Sequence, residues 1–547
     1  MTALVAATVI LPFLFAFLAL AGGGVRRVRG ALCATYSLAS AGLNLALLNR
    51  FLAEGGGGWG SLRLDRLGFP VFLVLNLVSA ATILYAGFRR DAGEGFAGGL
   101  LLASMLAASG FAALAALSRG LLGFALLWEA VTVAALVGLL ATGRGMPRRR
   151  LLAFLPWLAS DALFLAGATL TGLWLKESAV LIEQPLTAGS ETQVVVIMLL
   201  FLLSALLRLG LFPFNYWVAE LIDRADPAWS ALLLGAINFL LAGFRLLVVA
   251  ALIARLVASD WSTALALLGA LSVVAGPVCA ARAGSLGRYA SGMYALQAGF
   301  VLAGAALFSR AGLESASMCL LAAPVALAAT LMACGTVSEL KGSPGLDRKP
   351  LSPGAARAAF AALLISGMSL AGLPPMDGFV SKALTALSGL ERAAVAPLYA
   401  LLAAAGLAGA AIAVVALVRV LFRAFAAGGE PLPGRRPAIL EGLAPLAACG
   451  ASLLLGIFPG ILLRNFVEPG SRLLFRTGFA GPGVVFRGAG VFFERALAFY
   501  VSWPETAAAF LLAVAVFALA GYFLSGARRV EPGGRDRVSP ANEGVGE

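Results

Sequence analysis

Histidine is absent from all 547 residues, which removes the commonest proton shuttle and the commonest metal ligand from this chain. Cysteine is scarce: Cys33, Cys279, Cys319, Cys334 and Cys449 stand alone, within or beside apolar stretches, and no CxxC occurs. That usage argues against an iron–sulfur or zinc site and reads as packing. No glycine-rich nucleotide loop lies between a strand and a helix, and "GGGG" (55–58) is a low-complexity loop. The chain alone is therefore expected to hold no metal and no cofactor, and not to be a redox enzyme by itself. Charge is also short, at 12% of residues, where water-soluble domains carry roughly twice that share.

What is present is apolar length. Hydrophobic residues make up 61% of the chain and the mean hydropathy is +0.95. Crossing a bilayer core about 30 Å thick takes about 20 apolar residues per helix, and such runs recur throughout. Lipid leaves the edges of open sheets unsatisfied, and the runs are too long and continuous for the alternating strands of a barrel. The fold class is all-α polytopic membrane protein, with about 14–15 transmembrane helices between residues 3 and 525. The first run, "ALVAATVILPFLFAFLALAGGG", lacks the basic start of a secretory signal and reads as a retained helix.

The net charge of +13 and pI near 10.1 do not point to nucleic acid, because the arginines cluster in short loops between apolar runs: "VRRVRG", "FRRD", "GRGMPRRR", "PGRRP" and "GARRV". The loop "KESAVLIEQPLTAGSETQ" is net acidic. By the positive-inside rule the N-terminus lies outside and the C-terminus in the cytoplasm of a bacterial or archaeal-type cell (inner) membrane. Residues 53–66 read as a glycine-rich interfacial loop. The segment 464–504 reads as a stretch along the membrane surface, and 527–547 as a disordered tail.

Two spans are broken. One is interrupted at Pro213 and the other at Pro374 and Pro375 in "GLPPMDG", placing breaks at about 205–215 and 370–380. They lie five spans apart, so they run in opposite directions, as in an inverted repeat whose working site lies at the breaks. Two ordinary proline kinks give the same pattern. The expected division is 1–95 (three helices), 96–255 (first five-helix repeat), 256–424 (second inverted repeat) and 425–526 (C-terminal helices with the interfacial segment).

Ionisable groups at membrane depth are functional candidates by default, with structural ion pairs or snorkelling as the alternatives. Here they are Glu129, Asp161, Arg208, Arg245 and Lys382. Lys382 is singled out by usage: the chain has four lysines against thirty-six arginines, and the other three, Lys176, Lys341 and Lys349, lie in loops. A desolvated lysine can lose its proton, whereas arginine effectively cannot.

These stretches resemble a known superfamily: the antiporter-like membrane subunits of respiratory complex I, of Mrp sodium/proton antiporters and of membrane-bound hydrogenases. "FALLWEAVTVAALVGLLA" is similar to its fifth-helix Trp-Glu motif, "RLGLFPFNYWVAELIDRADPAWSALL" to its seventh and eighth helices, and "LAGLPPMDGFVSKAL" to its broken twelfth helix. The resemblance implies two inverted five-helix repeats joined by a polar, hydrated axis that carries protons. Glu129 would be the carboxylate and Arg208 its cationic partner. Lys382 would be the ionisable group of the second half, and Asp161 a further acidic position. It also implies other membrane subunits as partners, a peripheral redox or hydrogenase module among them.

The sequence departs from that pattern. The family's lysine in the seventh span is Arg208, a poor proton acceptor. Between the two halves only Asn238 and Gln297 are expected to line a polar axis, with no titratable relay. Two functional readings follow: an ion-translocating subunit, for protons rather than sodium, or a degenerate non-conducting scaffold anchoring a redox or transport module. An unrelated solute carrier with broken helices is a third.

Overall fold

The computed structural model describes residues 1–59, 62–66, 68–89, 95–118, 120–141, 147–175, 191–256, 259–346, 350–351, 356–393, 397–425 and 439–472. The expected span at 505–525, most of the interfacial segment 464–504 and the tail 527–547 lie outside the described residues.

Apolar runs of this length satisfy their backbone only by coiling, and the other expected spans fall on helices. The N-terminal helices are α1 (Thr2–Gly22), α2 (Arg26–Glu54) and α3 (Gly68–Phe88). Next come α4 (Phe96–Leu117), α5 (Leu121–Ala141), α6 (Pro147–Leu175), α7 (Glu191–Leu209), α8 (Tyr216–Arg224) and α9 (Pro227–Ser230). From α9 the chain runs through a π-helical stretch, Ala231–Asn238, into α10 (Phe239–Leu256). The second half comprises α11 (Ser259–Ala281), α12 (Leu286–Ala306), α13 (Arg310–Lys341), α14 (Arg357–Ala371), α15 (Asp377–Ala393) and α16 (Leu398–Ala424). After it come α17 (Ile439–Ile457) and α18 (Gly460–Leu462), the latter followed by a short π-turn, Leu463–Val467.

Among the described residues ten helices are long and apolar enough to cross a membrane. An eleventh is made if the pair Glu441–Ile457 and Gly460–Arg472, bent by 80°, counts as one span. The shortfall from 14–15 is partly physical: α7 and α14 are cut short by the breaks, leaving apolar stretches of only Val195–Leu209 and Arg357–Ala371. Part of the stretch expected as a glycine-rich loop at 53–66 forms strands. Strands β1 (Gly57–Trp59) and β2 (Leu62–Leu64) pair antiparallel, with Gly57 opposite Leu64.

The centre of the bundle is built from two elements whose apolar windows are fully buried, Pro227–Ala250 and the 32-residue α13. Both breaks fall beside this centre and share one construction. Helix α7 ends at Gly210 (φ +61°) and α14 at Gly372 (φ +82°), a left-handed conformation that glycine adopts without steric cost. The prolines then keep the helix from resuming at once, and the chain restarts as α8 and α15.

Candidate functional site

Arg208 sits in the last turn of α7, where helix carbonyls favour a cation, and is 1% exposed. Its guanidinium reaches three helices. Nη1 donates to Asp161 Oδ1 on α6 at 2.7 Å, and Nη2 donates to Thr132 Oγ1 on α5 at 2.9 Å. Nε donates to Asn238 Oδ1, the last residue of the π-helical stretch, at 2.7 Å. Thr132 in turn donates to Asp161 Oδ2 at 2.6 Å, which closes a ring of buried hydrogen bonds. The guanidinium lies 4.0 Å from the Trp157 ring centre and 5.1 Å from that of Trp128. Its charge is thus met by a carboxylate and by aromatic faces.

This corrects the expected pairing. The carboxylate bonded to Arg208 is Asp161, on the neighbouring helix, and not Glu129. Glu129 is half-buried on α5, one turn before Thr132, near enough to feel the charges of both Asp161 and Arg208 without bonding to Arg208.

Toward the middle of the bundle, Asn238 Nδ2 donates to the Arg208 carbonyl at 2.8 Å and to Tyr294 Oη at 2.9 Å. Tyr294 lies on α12, three residues before Gln297, so the two share a face of one helix. Gln297 Nε2 donates to the Leu370 carbonyl in the last turn of α14 at 2.7 Å, and Gln297 Oε1 accepts from Lys382 Nζ at 3.1 Å. The aliphatic stem of Lys382 folds back over Gly372, and its Nζ lies 5.1 Å from the Phe300 ring centre. Asp161, Arg208, Asn238, Tyr294, Gln297 and Lys382 are each at most 6% exposed and form one succession across the bundle. Beyond the two residues expected to line this axis, the structure places the phenol of Tyr294 between Asn238 and Gln297. The signal was available in "GMYALQAGF", where Tyr and Gln stand one helical turn apart.

Further buried arginines lie off this succession, Arg89 and Arg245 among them. Arg89, immediately after α3, is fully buried and donates from Nη1 to both oxygens of Asp226 at 2.6 and 2.5 Å, while Nη2 faces Glu339. Asp226 also caps α9, accepting from the backbone of Ala228 and Trp229. This cluster ties α3, α9 and α13 together just past the first break, where charges spaced far apart in sequence gave no local motif. It borders a cavity of about 290 Å³ lined by Asp223, Ser230, Ser338 and Glu339 among others.

Arg245 on α10 is another, at 2% exposure. Among the described residues none hydrogen-bonds its Nε, Nη1 or Nη2, and the guanidinium lies between the rings of Phe124 (3.0 Å) and Phe164 (5.0 Å). A buried cation without hydrogen bonds is costly, and two ring faces offset that cost only in part. Arg245→Met is accordingly expected to raise stability by about 1 kcal/mol or more, read as a higher melting temperature of the purified protein. A lower melting temperature would contradict this account of the site.

The sequence profile described as "NADH:quinone oxidoreductase/Mrp antiporter, TM" matches residues 118–408. The chain is 27% identical over 395 residues to the NAD(P)H-quinone oxidoreductase chain 4 1 of Synechococcus sp. (strain JA-3-3Ab), covering 71% of this chain and 73% of that one. It is 33% identical over 184 residues to the NADH-quinone oxidoreductase subunit N 2 of Solidesulfovibrio magneticus, covering 34% of this chain and 38% of that one. In fold it is similar to a chain of the Mrp complex from Dietzia sp. DQ12-45-1b, with a TM-score of 0.71 and 20% identity. That match covers 96% of this chain and 60% of the other. It is also similar to a chain of an archaeal membrane-bound sulfane sulfur reductase, with a TM-score of 0.71 and 16% identity over 94% and 95% of the two chains.

Proposed function

Because the chain belongs to the NADH:quinone oxidoreductase/Mrp antiporter membrane family, we propose that this antiporter-like subunit translocates protons within a multi-subunit energy-converting membrane complex. The observation that carries the reading is the buried polar succession from Asp161 to Lys382. A chain that served only as scaffold would gain nothing from burying these groups, which cost free energy wherever they are not fully paired.

In this reading Arg208 does not release a proton, since a guanidinium stays charged. It is a fixed charge that holds the first break and keeps Asp161 ionised, so that proton arrival at Glu129 is felt through the Asp161–Arg208 pair. Glu129, half-buried on the outer side of α5, stands where a neighbouring subunit would cover it. Tyr294 passes a proton by exchanging the hydrogen bonds of its hydroxyl, and water bridges the helical turn between Tyr294 and Gln297. Lys382 is the group of the second half that binds and releases the proton.

The redox or ion-gradient chemistry that drives this movement belongs to partner subunits. Other membrane subunits are the partners of this chain, with a peripheral redox or hydrogenase module in the same assembly. The clustered loop arginines orient the chain with its N-terminus outside and its C-terminus in the cytoplasm. The complex isolated in mild detergent, its subunits identified by mass spectrometry, and reconstituted into vesicles with a pH-sensitive dye tests the reading. Tyr294→Phe is expected to slow proton movement about tenfold or more with the same subunits co-purifying. An unchanged rate, or a chain that purifies alone, would refute it.

A further inference from the structure

The second break holds a carboxylate that none of the preceding steps uses. Asp377 opens α15, is 0% exposed, and divides its two oxygens unequally. Oδ1 accepts three hydrogen bonds: from Ser369 Oγ on α14 at 2.6 Å, from Ser452 Oγ on α17 at 2.5 Å, and from the Gly378 backbone N–H at 2.9 Å. Oδ2 is buried and accepts none among the described residues. A carboxylate in this position that served only as a helix cap or as glue between α14, α15 and α17 would be finished with Oδ1. Leaving the second oxygen bare at depth is unfavourable unless something uses it.

A cation whose charge acts on Asp377 stands on the same helix. Lys382 Nζ donates to the carbonyl of Gly378 at 3.3 Å, while the N–H of that same residue donates to Asp377. Gly378 thus ties the ammonium and the carboxylate to a single backbone unit, and the charges of Asp377 and Lys382 act on each other. The other groups facing this pair are Gln297 on α12, Cys319 on α13 and Cys449 on α17, of which only the thiols titrate. Among the described residues Asp377 is the carboxylate whose charge acts on Lys382.

We propose that Asp377 is a proton-exchange partner of Lys382, with Oδ2 as the accepting atom. In the exchange an N–H bond of the Lys382 ammonium breaks and an O–H bond forms at Asp377 Oδ2, with water carrying the proton between them. The pair passes from one positive and one negative charge to two neutral groups, and no electron changes hands. Because the sum of the two charges is zero in both states, the proton is handed over at depth without creating a net charge in the low-dielectric interior. Ser369 and Ser452 are positioning residues: by holding Oδ1 they leave Oδ2 as the oxygen that takes the proton. The proposal rests on the reading of the second break as a proton station and supplies the group that the arginine-for-lysine exchange at the first break leaves this chain without.

The test is infrared difference spectroscopy of the intact complex during a pH titration, following the carbonyl stretch of protonated carboxylic acids. The expected wild-type signal is a buried carboxylic acid that titrates, is lost in Asp377→Asn, and is retained in Asp377→Glu. In Lys382→Met, where the exchanging partner is gone, the same band is expected to stop responding to pH in the wild-type range. Should Asp377→Asn fail to assemble, Ser452→Ala keeps the carboxylate and is expected to move its titration by removing one donor. A band that survives in Asp377→Asn, or a titration untouched by both Lys382→Met and Ser452→Ala, would overturn the proposal. Proton movement by the wild-type complex, measured separately, tests the proposed function, so the two readings fail independently.

Discussion

Asp161→Ala is expected to destabilise the folded protein by about 3–5 kcal/mol, and Glu129→Ala by no more than about 1 kcal/mol. The difference follows from what each carboxylate holds. Asp161 bonds Arg208 through Oδ1 and Thr132 through Oδ2, and all three residues are buried. Removing it leaves the guanidinium with neutral partners only, the Thr132 hydroxyl, the Asn238 amide oxygen and the Trp157 carbonyl at 3.3 Å, none of which carries a compensating charge. Glu129 has solvent or lipid on one side and gives up no bond to Arg208. Removing both charges together, as Asp161→Leu with Arg208→Met, is expected to cost much less than Asp161→Ala alone, because no unpaired charge remains. Melting temperatures of the four proteins in one detergent check this. Equal losses for Asp161→Ala and Glu129→Ala would restore Glu129 as the partner of Arg208.

The architecture was readable from the sequence because its cause is local: run length fixes helices in lipid, and Pro213, Pro374 and Pro375 fix where two of them break. The ionisable candidates were readable for the same reason, since Glu129, Asp161, Arg208 and Lys382 interrupt apolar runs. What was not readable is which of them meet. Asp161 and Arg208 are 47 residues apart, and their pairing depends on α6 and α7 packing at one level, which neither segment encodes alone. Tyr294 escaped notice because a tyrosine in a membrane helix is unremarkable until an amide such as that of Asn238 is set opposite it. Asp377 was hidden differently: at the start of a helix an aspartate reads as a cap, and only its bare second oxygen says otherwise. The strand pair Gly57–Trp59 and Leu62–Leu64 was masked by glycines that read as a loop, although Leu62 and Leu64 alternate as a strand requires.

Lys382→Met is expected to lower proton movement by the intact complex about 100-fold, the scale of losing a positioned proton-transfer group, while the complex still assembles. Assembly is expected to survive because Nζ makes only two bonds, to Gln297 Oε1 and the Gly378 carbonyl, and methionine keeps most of the apolar stem that packs over Gly372. Lys382→Arg separates charge from titration: it keeps the cation at the break but cannot release a proton, so it is expected to conduct as poorly as Lys382→Met. A structural role would instead be rescued by arginine. The measurement to make is the initial rate of proton uptake into vesicles holding the purified complex, for wild type, Lys382→Met and Lys382→Arg at matched subunit content. Loss in both variants is the predicted result. Wild-type rates in Lys382→Met would contradict proton movement through this chain.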